Sequence, residues 1–324
     1  MEDLEVKWKN KQVLVTGGTG FVGSHLVARL VKEGASVVTT NLLLEPQSYF
    51  VQQKLSEKTA IANIDITDFV AIHDLITKTE PEYIFHLAAQ ALVDVAYYNP
   101  RRTLDSNIMG TVNILESARL WPRIKGIVVA SSDKAYGKTK QKKYQEDTPL
   151  RGDHPYEVSK SAADLICYSY YQTYQVPVTV SRFGNIYGEG DLNYSRIIPG
   201  AMLSLVQDKS LEIRSNGKFI RDYLYVKDVV DGYLLLAEKI EKTKGQAYNF
   251  GSNETLTVLE TLTRLGKALG QKIEYKIIDQ AKNEIPYQSL DYNKATRELG
   301  WQPQRTIETT AEQIYAWYEQ ILQS

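Results

Sequence analysis

The chain has 324 residues, 43% hydrophobic and 24% charged, with a formal net charge of −1, the profile of a globular chain with an ample core. That balance provides no basic footprint for nucleic acid and no polybasic patch for a membrane, so any anionic ligand must be held by a few placed groups. Cys167 is the only cysteine and no disulfide can form within the chain; MEDLEVKWKN lacks the apolar core of a secretion signal, no apolar run approaches bilayer length, and a reducing cytoplasm is the expected setting.

In chain order, Gln12–Thr16 is a short β-branched run, followed at once by Gly17-x-Thr19-Gly20-Phe21-Val22-Gly23 and a helical pattern over His25–Glu33. Strand, glycine turn and helix in this order predict a dinucleotide cradle: Gly17 turns sharply, Gly20 admits a pyrophosphate, and Gly23 lets helix pack on strand. The helix amino terminus then faces phosphate. The next run, Ser36–Thr40, leads into Asn41-Leu42-Leu43-Leu44-Glu45 with no Arg or Lys nearby. A ribose 2′-phosphate has no obvious cationic partner there, which favours NAD over NADP, with Asn41 or Glu45 on the ribose. A third short run precedes Asp65 and Ile66; Asp65 is placed either on the adenine amino group or as a cap on the following helix. Tyr83–His86 leads into Leu87-Ala88-Ala89, a small-residue floor for the cofactor, and then Gln90. Gly126–Ala130 and Val178–Ser181 complete an alternation of strands with helical segments. The fold expected is α/β, a doubly wound parallel (Rossmann) sheet.

In such a sheet ligands lie beyond the carboxyl ends of the strands, and the chain places chemistry there. Ser132-Asp133-Lys134 follows one strand, and Tyr156-x-x-x-Lys160 lies further along. Tyrosine ordinarily titrates near 10 and needs a cation to act as a base at neutral pH. Lys160 lies one helical turn away, and a charge at roughly 4 Å in an effective dielectric near 20 is worth about 4 kcal/mol, about three pKa units. Tyr156 would then deprotonate a hydroxyl held by Ser132 as hydride leaves the same carbon. The resulting ketone acidifies the neighbouring C–H. Lys134, with its pKa lowered by burial and by the Lys160 charge, would take that proton, while protonated Asp133 would donate to a departing hydroxyl. An epimerase needs neither of these groups. The ordinary readings are an exposed turn of helix for Tyr156 and Lys160, in a chain with 22 tyrosines, and a local ion pair for Asp133 and Lys134.

Together GxxGxxG, HLAA, S-x-x-x-Y-G and YxxxK resemble the extended short-chain dehydrogenase/reductase family of nucleotide-sugar enzymes. SSDKAYG, with Lys134 in its third catalytic place, and GNIYGEGDLNYSRIIPG most resemble the CDP-glucose 4,6-dehydratase branch. The resemblance implies NAD, tightly bound and recycled, and 4,6-dehydration of a nucleoside-diphosphate hexose; the alternative is a nucleotide-sugar 4-epimerase or uronate decarboxylase. It also implies substrate contacts at Gln90, Asn185, Arg196, Arg221 and Asn253. An arginine that many relatives carry before the final LD-x-x-K-A segment is missing from KNEIPYQSLDYNKA, which leaves nucleotide base and hexose open. Residues 1–187 plus 223–253 are expected to form the dinucleotide domain, and 188–222 plus 254–324 a smaller α+β substrate lobe. In this family helices around 104–120 and 159–174 pair across a two-fold axis, so a homodimer is expected, with Tyr168-Ser169-Tyr170-Tyr171 suited to that interface. No histidine shows ligand-like spacing, so no metal is expected.

Overall fold

The computed structural model describes residues 7–139, 141–280 and 285–323. Residues 1–6 of the amino-terminal segment and 282–284 of the arginine-free stretch lie outside the described residues. Strands β1 (Gln12–Thr16), β2 (Ser36–Asn41), β3 (Ala60–Asn63), β4 (Tyr83–His86), β5 (Gly126–Ala130), β6 (Val178–Phe183) and β10 (Ala247–Phe250) form one parallel sheet in the order β10-β6-β5-β4-β1-β2-β3. Its central strands are apolar on both faces, as a sheet covered by helices on both sides requires. Leu14, Ile84 and Ile127 pack with Ile72, Ile76 and Ile114 on one side, and Val13, Phe85 and Val128 with Leu26, Leu30 and Val229 on the other. The strand order reverses between β1 and β4, so the crevice for a ligand opens beyond Thr16 and His86.

β7 (Asn185–Tyr187), β9 (Ile220–Tyr225) and β11 (Thr255–Thr257) form a three-stranded sheet, and β8 (Leu211–Ile213) pairs with β12 (Tyr275–Ile277). The helices Ile197–Val206, Val258–Leu269 and Ile307–Gln323 enclose a second core around Tyr187, Met202, Leu262, Ile314 and Tyr318. The chain crosses back through the Val226–Glu238 helix to β10, and Ala295, Leu299 and Trp301 also pack into the large-sheet core. No helix among the described residues is long and apolar enough to cross a membrane.

Several boundaries differ from the sequence reading. The first helix runs Phe21–Lys32, not His25–Glu33, because Gly20 is already its extended N-cap and the Ser24 amide donates to the Gly20 carbonyl at 2.9 Å. The 104–120 segment is not one regular helix: Pro100–Leu104 passes through a π turn at Asp105–Met109 into Gly110–Leu120. Asn107 sits in that turn, and its side chain pairs with the Gln90 backbone and with Ser159 Oγ, a tertiary bond of the kind that widens a helix locally. The helix bearing Tyr156 runs Pro155–Tyr174 and starts four residues ahead of Ser159, because Pro155 at its first turn and a His154/Glu157 capping box fix its start.

Candidate active site

The glycine turn after β1 is built so tightly that larger residues have no room. Gly17 has φ +70°, and a Cβ on it would lie 2.8 Å from the Ala88 backbone; one on Gly23 would meet the Gly17 carbonyl oxygen at 2.2 Å. The Phe21–Lys32 helix that follows carries no side-chain cap at its amino terminus, leaving its first amides directed at the crevice. Val22 packs against the core behind the turn. At the other wall, the Leu87 amide donates to the Thr16 carbonyl at 3.1 Å and the Ala88 amide to Thr16 Oγ1 at 3.2 Å, with half-buried Ala89 following. These features form a cradle that fits a dinucleotide pyrophosphate.

At the adenosine end, Asn41 accepts a hydrogen bond from Thr19 Oγ1 and donates to Asn63 Oδ1, both at 3.0 Å, while Glu45 is exposed. Asp65 does not cap the next helix; Asp68 does, and Asp65 Oδ1 instead accepts from the Thr67 amide and hydroxyl. Ile66 is buried against Gly110, and its carbonyl accepts from Asn113. A cavity of about 470 Å³ here is lined by Leu42, Asp65, Thr67, Asn99, Arg101 and Arg102. The two arginines come from a distant part of the chain, and the reading of Thr40–Glu45 alone missed them.

Ser132, Asp133, Tyr156 and Lys160 do converge. Ser132 caps the short 3-10 turn Asp133–Tyr136 after β5, accepting from the Lys134 amide at 3.2 Å and donating to Asp133 Oδ1 at 2.9 Å. Burial pushes the Tyr156 phenol up to about 12, against opposing contributions from the Arg196 charge and from Ser132. Lys160 does not supply the expected depression. Its ammonium donates to the Ala130 carbonyl at 2.9 Å, and burial lowers its own pKa to about 8. It also faces His86, which burial and the Lys160 charge hold near 3. Neutral His86 bridges Thr16 and Thr111 hydroxyls and so ties β1 to the Gly110–Leu120 helix beneath the site.

The Lys160 shift has a consequence for stability. Its folded pKa lies below the unfolded value near 10.5, so below about pH 8 the fold bears the cost of a buried ammonium, and this cost disappears as pH rises toward 10.5. The melting temperature of Lys160→Met relative to the native chain is therefore expected to be highest near pH 7 and to fall between pH 8 and 10, a change of about 3 kcal/mol at most. A difference that stays flat with pH contradicts the buried-ammonium assignment.

Around the elimination half, Asp133 is 4% exposed, so the local Asp133–Lys134 surface pair is not what forms. The Lys134 ammonium donates to Gln288 Oε1, a residue the sequence reading missed. Asp222, buried beside Arg221, is a second omission. Its carboxylate accepts from the Leu290 amide at 2.7 Å and from Thr255 Oγ1 at 2.8 Å, and burial together with the Asp133 charge raises it to about 6. The third omission is Arg182. Its bidentate pair with Asp164, at 2.8 and 2.9 Å, joins the Tyr156 helix to Tyr136 and the Glu146 carbonyl, so the helix and the Asp133–Tyr136 turn share one clamp.

The expected substrate contacts are divided between the large-sheet side, which carries Gln90, and the smaller sheet and its helices. Asn185 lies on β7 beside Tyr223 of β9, and Arg221 on β9 is largely buried, donating to the Ile220 carbonyl at 2.8 Å. Arg196 stands at the N-cap position of the Ile197–Val206 helix with no side-chain cap bond; its guanidinium donates to buried Asp191 at 3.1 Å, and its charge acts on Tyr156. The Gln90 backbone is paired with Asn107 and its side-chain carbonyl accepts from Thr103 at 3.1 Å. Asn253 lies further out, bonded to the Tyr292 hydroxyl.

A glycine cradle at the switch point, a serine turn beyond β5 and a Tyr-x-x-x-Lys helix beside it define an extended short-chain dehydrogenase/reductase. The chain belongs to the family described as GDP-mannose 4,6 dehydratase, which matches residues 14–314. It is 31% identical to CDP-glucose 4,6-dehydratase of Salmonella typhimurium over 96% of this chain and 91% of that protein. Among solved structures it is similar to UDP-glucose 4-epimerase of Thermotoga maritima with UDP-glucose (TM-score 0.87, 28% identity, 96% and 99% of the two chains). It is also similar to dTDP-glucose 4,6-dehydratase of Bacillus anthracis in complex with NAD (TM-score 0.84, 27% identity, 96% and 97% covered).

Proposed function

We propose that the protein is an NAD-dependent hydro-lyase that converts a nucleoside-diphosphate hexose of the CDP-glucose type to its 4-keto-6-deoxy form. The observation that carries this reading over the epimerase one is the pair Asp133 and Lys134: a buried carboxyl and an ammonium on the turn beside Tyr156, neither of which is needed to turn over a keto sugar. The similarity to CDP-glucose 4,6-dehydratase supports it. NAD, held by the Gly17–Gly23 cradle with Asn41, Asp65 and Leu87–Ala89 around it, supplies the hydride acceptor for C4 and the donor for C6. Tyr156 takes the C4 hydroxyl proton, with Ser132 holding that oxygen and Lys160 fixed behind the phenol by Ala130. Lys134, as its neutral amine, then removes the C5 proton made acidic by the ketone, and Asp133, as the carboxylic acid, protonates the C6 hydroxyl, which leaves as water. Lys134 returns its proton to C5 as hydride reaches C6. Asp133 has given its proton to the departing water and Tyr156 has kept the one from the C4 hydroxyl, so passage of that proton from Tyr156 to Asp133 through Ser132, which bonds both, restores the site.

Arg196 and Arg221 are assigned to the diphosphate, whose paired oxygens suit the guanidinium fork, and Gln90, Asn185 and Asn253 to the remainder of the sugar nucleotide. The working division keeps 1–187 plus 223–253 against 188–222 plus 254–324 with three departures, since β7 and Tyr223–Tyr225 of β9 lie in the three-stranded sheet and Ala295–Trp301 packs into the large-sheet core; a cytoplasmic setting goes with it. A homodimer through the Gly110–Leu120 and Pro155–Tyr174 helices is supported by Leu120, Leu165 and Tyr168, which are large, apolar and exposed there. Incubation of the pure protein and NAD with CDP-, UDP-, GDP- and dTDP-hexoses, read by mass, tests the function. Loss of one water from one of them is expected; an isomer of unchanged mass favours the epimerase and demotes Asp133 and Lys134 to binding or structural roles.

A further inference from the structure

Gln288 is 1% exposed, yet its side chain is only half satisfied. Its Oε1 accepts from the Lys134 side-chain nitrogen, and its Nε2 is buried with no hydrogen-bond partner among the described residues. The carbonyl end of the amide faces Lys134, whose nitrogen donates to it; the ammonium form has three donors and no acceptor for the Nε2 end. A buried N–H₂ without a partner forfeits its bonds to water with nothing in return, and buried polar groups in folded proteins are seldom left so. An apolar side chain of the same size would avoid that cost. The backbone around Gln288 is pinned on both sides: its own amide donates to the Ile220 carbonyl at 3.1 Å, the Tyr144 amide to the Ser289 carbonyl at 2.9 Å, and the Leu290 amide to Asp222 at 2.7 Å. The acceptor is thus delivered to Lys134 from 154 residues along the chain, on a segment held by the strand that carries Arg221.

We propose that Gln288 is a positioning residue for Lys134: its neutral carbonyl oxygen accepts from the Lys134 nitrogen and so aims the amine lone pair that takes the C5 proton in the elimination step, and this task explains the retention of a half-satisfied amide in a buried place. The inference rests on the dehydratase reading. It is confined to the second chemical step, because Gln288 acts through Lys134 and not on the hydride transfer from C4.

The test compares Gln288→Met, Lys134→Ala and the double variant with the native chain, on the sugar nucleotide that the native chain turns over. Gln288→Met is expected to melt no lower than the native protein, because the unpartnered amide goes with it. Its kcat for dehydration is expected to fall by roughly ten- to a hundredfold at unchanged KM, the cost of misaiming a reacting group by about an ångström. The C4-oxidised sugar is expected to accumulate, visible as persistent reduced-nicotinamide absorbance. The double variant is expected to be no slower than Lys134→Ala alone, since residues acting through one another do not add. Dehydration by Gln288→Met within twofold of native, or an additive loss in the double variant, overturns the positioning role while a native chain that loses water leaves the functional reading intact. A native chain that yields only an isomer overturns that reading and this inference with it.

Discussion

Tyr156→Phe is expected to lower C4 oxidation by about a thousandfold, within the range by which a positioned acid–base group speeds proton transfer, and to suppress dehydration equally because the ketone must form first. Phe fills the same largely buried place as Tyr156, which is 9% exposed, so melting temperature and sugar-nucleotide affinity are expected to hold. The loss is therefore one of chemistry alone. The structure sharpens this expectation, because burial pushes the phenol up to about 12 and the cation acting on it is Arg196, not Lys160. Arg196→Gln is accordingly an informative companion: it should move the pH dependence of C4 oxidation upward, since the removed charge favoured the phenolate. Single-turnover absorbance of reduced nicotinamide reads both. Oxidation by Tyr156→Phe within tenfold of native would remove Tyr156 from the role of base.

Lys134→Ala is expected to separate the two halves of the reaction. Hydride abstraction from C4 stays measurable, because Ser132, Tyr156 and Lys160 keep their own partners in Asp133, the protein interior and the Ala130 carbonyl. Loss of the C6 hydroxyl is expected to fall by about 10²–10⁴-fold, with the 4-keto hexose building up on the protein. Unchanged dehydration in this variant sinks the assignment of Lys134 as the base.

Much of the fold was legible because strands buried on both faces read as continuous apolar runs. Gln12–Thr16, Tyr83–His86 and Gly126–Ala130 have the observed limits, and the turns after them carry Gly17, Leu87 and Ser132. Helix starts were less legible. The apolar pattern over His25–Glu33 reports burial, whereas the start at Phe21 is set by backbone bonding at Gly20, which periodicity does not register. The π turn at Asn107 comes from its bonds to Gln90 and Ser159, which no local pattern encodes. Motif spacing placed Ser132, Asp133, Tyr156 and Lys160 together, but not which atom each would face. One helical turn between Tyr156 and Lys160 suggested charge on phenol, and the Ala130 carbonyl takes the ammonium instead. Gln288, Asp222 and Arg182 reach the site from strands and segments far along the chain, with residue types ordinary enough that only tertiary placement marks them.

The most direct test of the central claim follows the hydride. A nucleoside-diphosphate hexose carrying deuterium at C4, incubated with the protein and NAD and analysed by mass and NMR, is expected to lose one water and to carry the deuterium in the new C6 methyl group. Deuterium found back at C4 in a product of unchanged mass contradicts the dehydratase account and leaves the epimerase one standing.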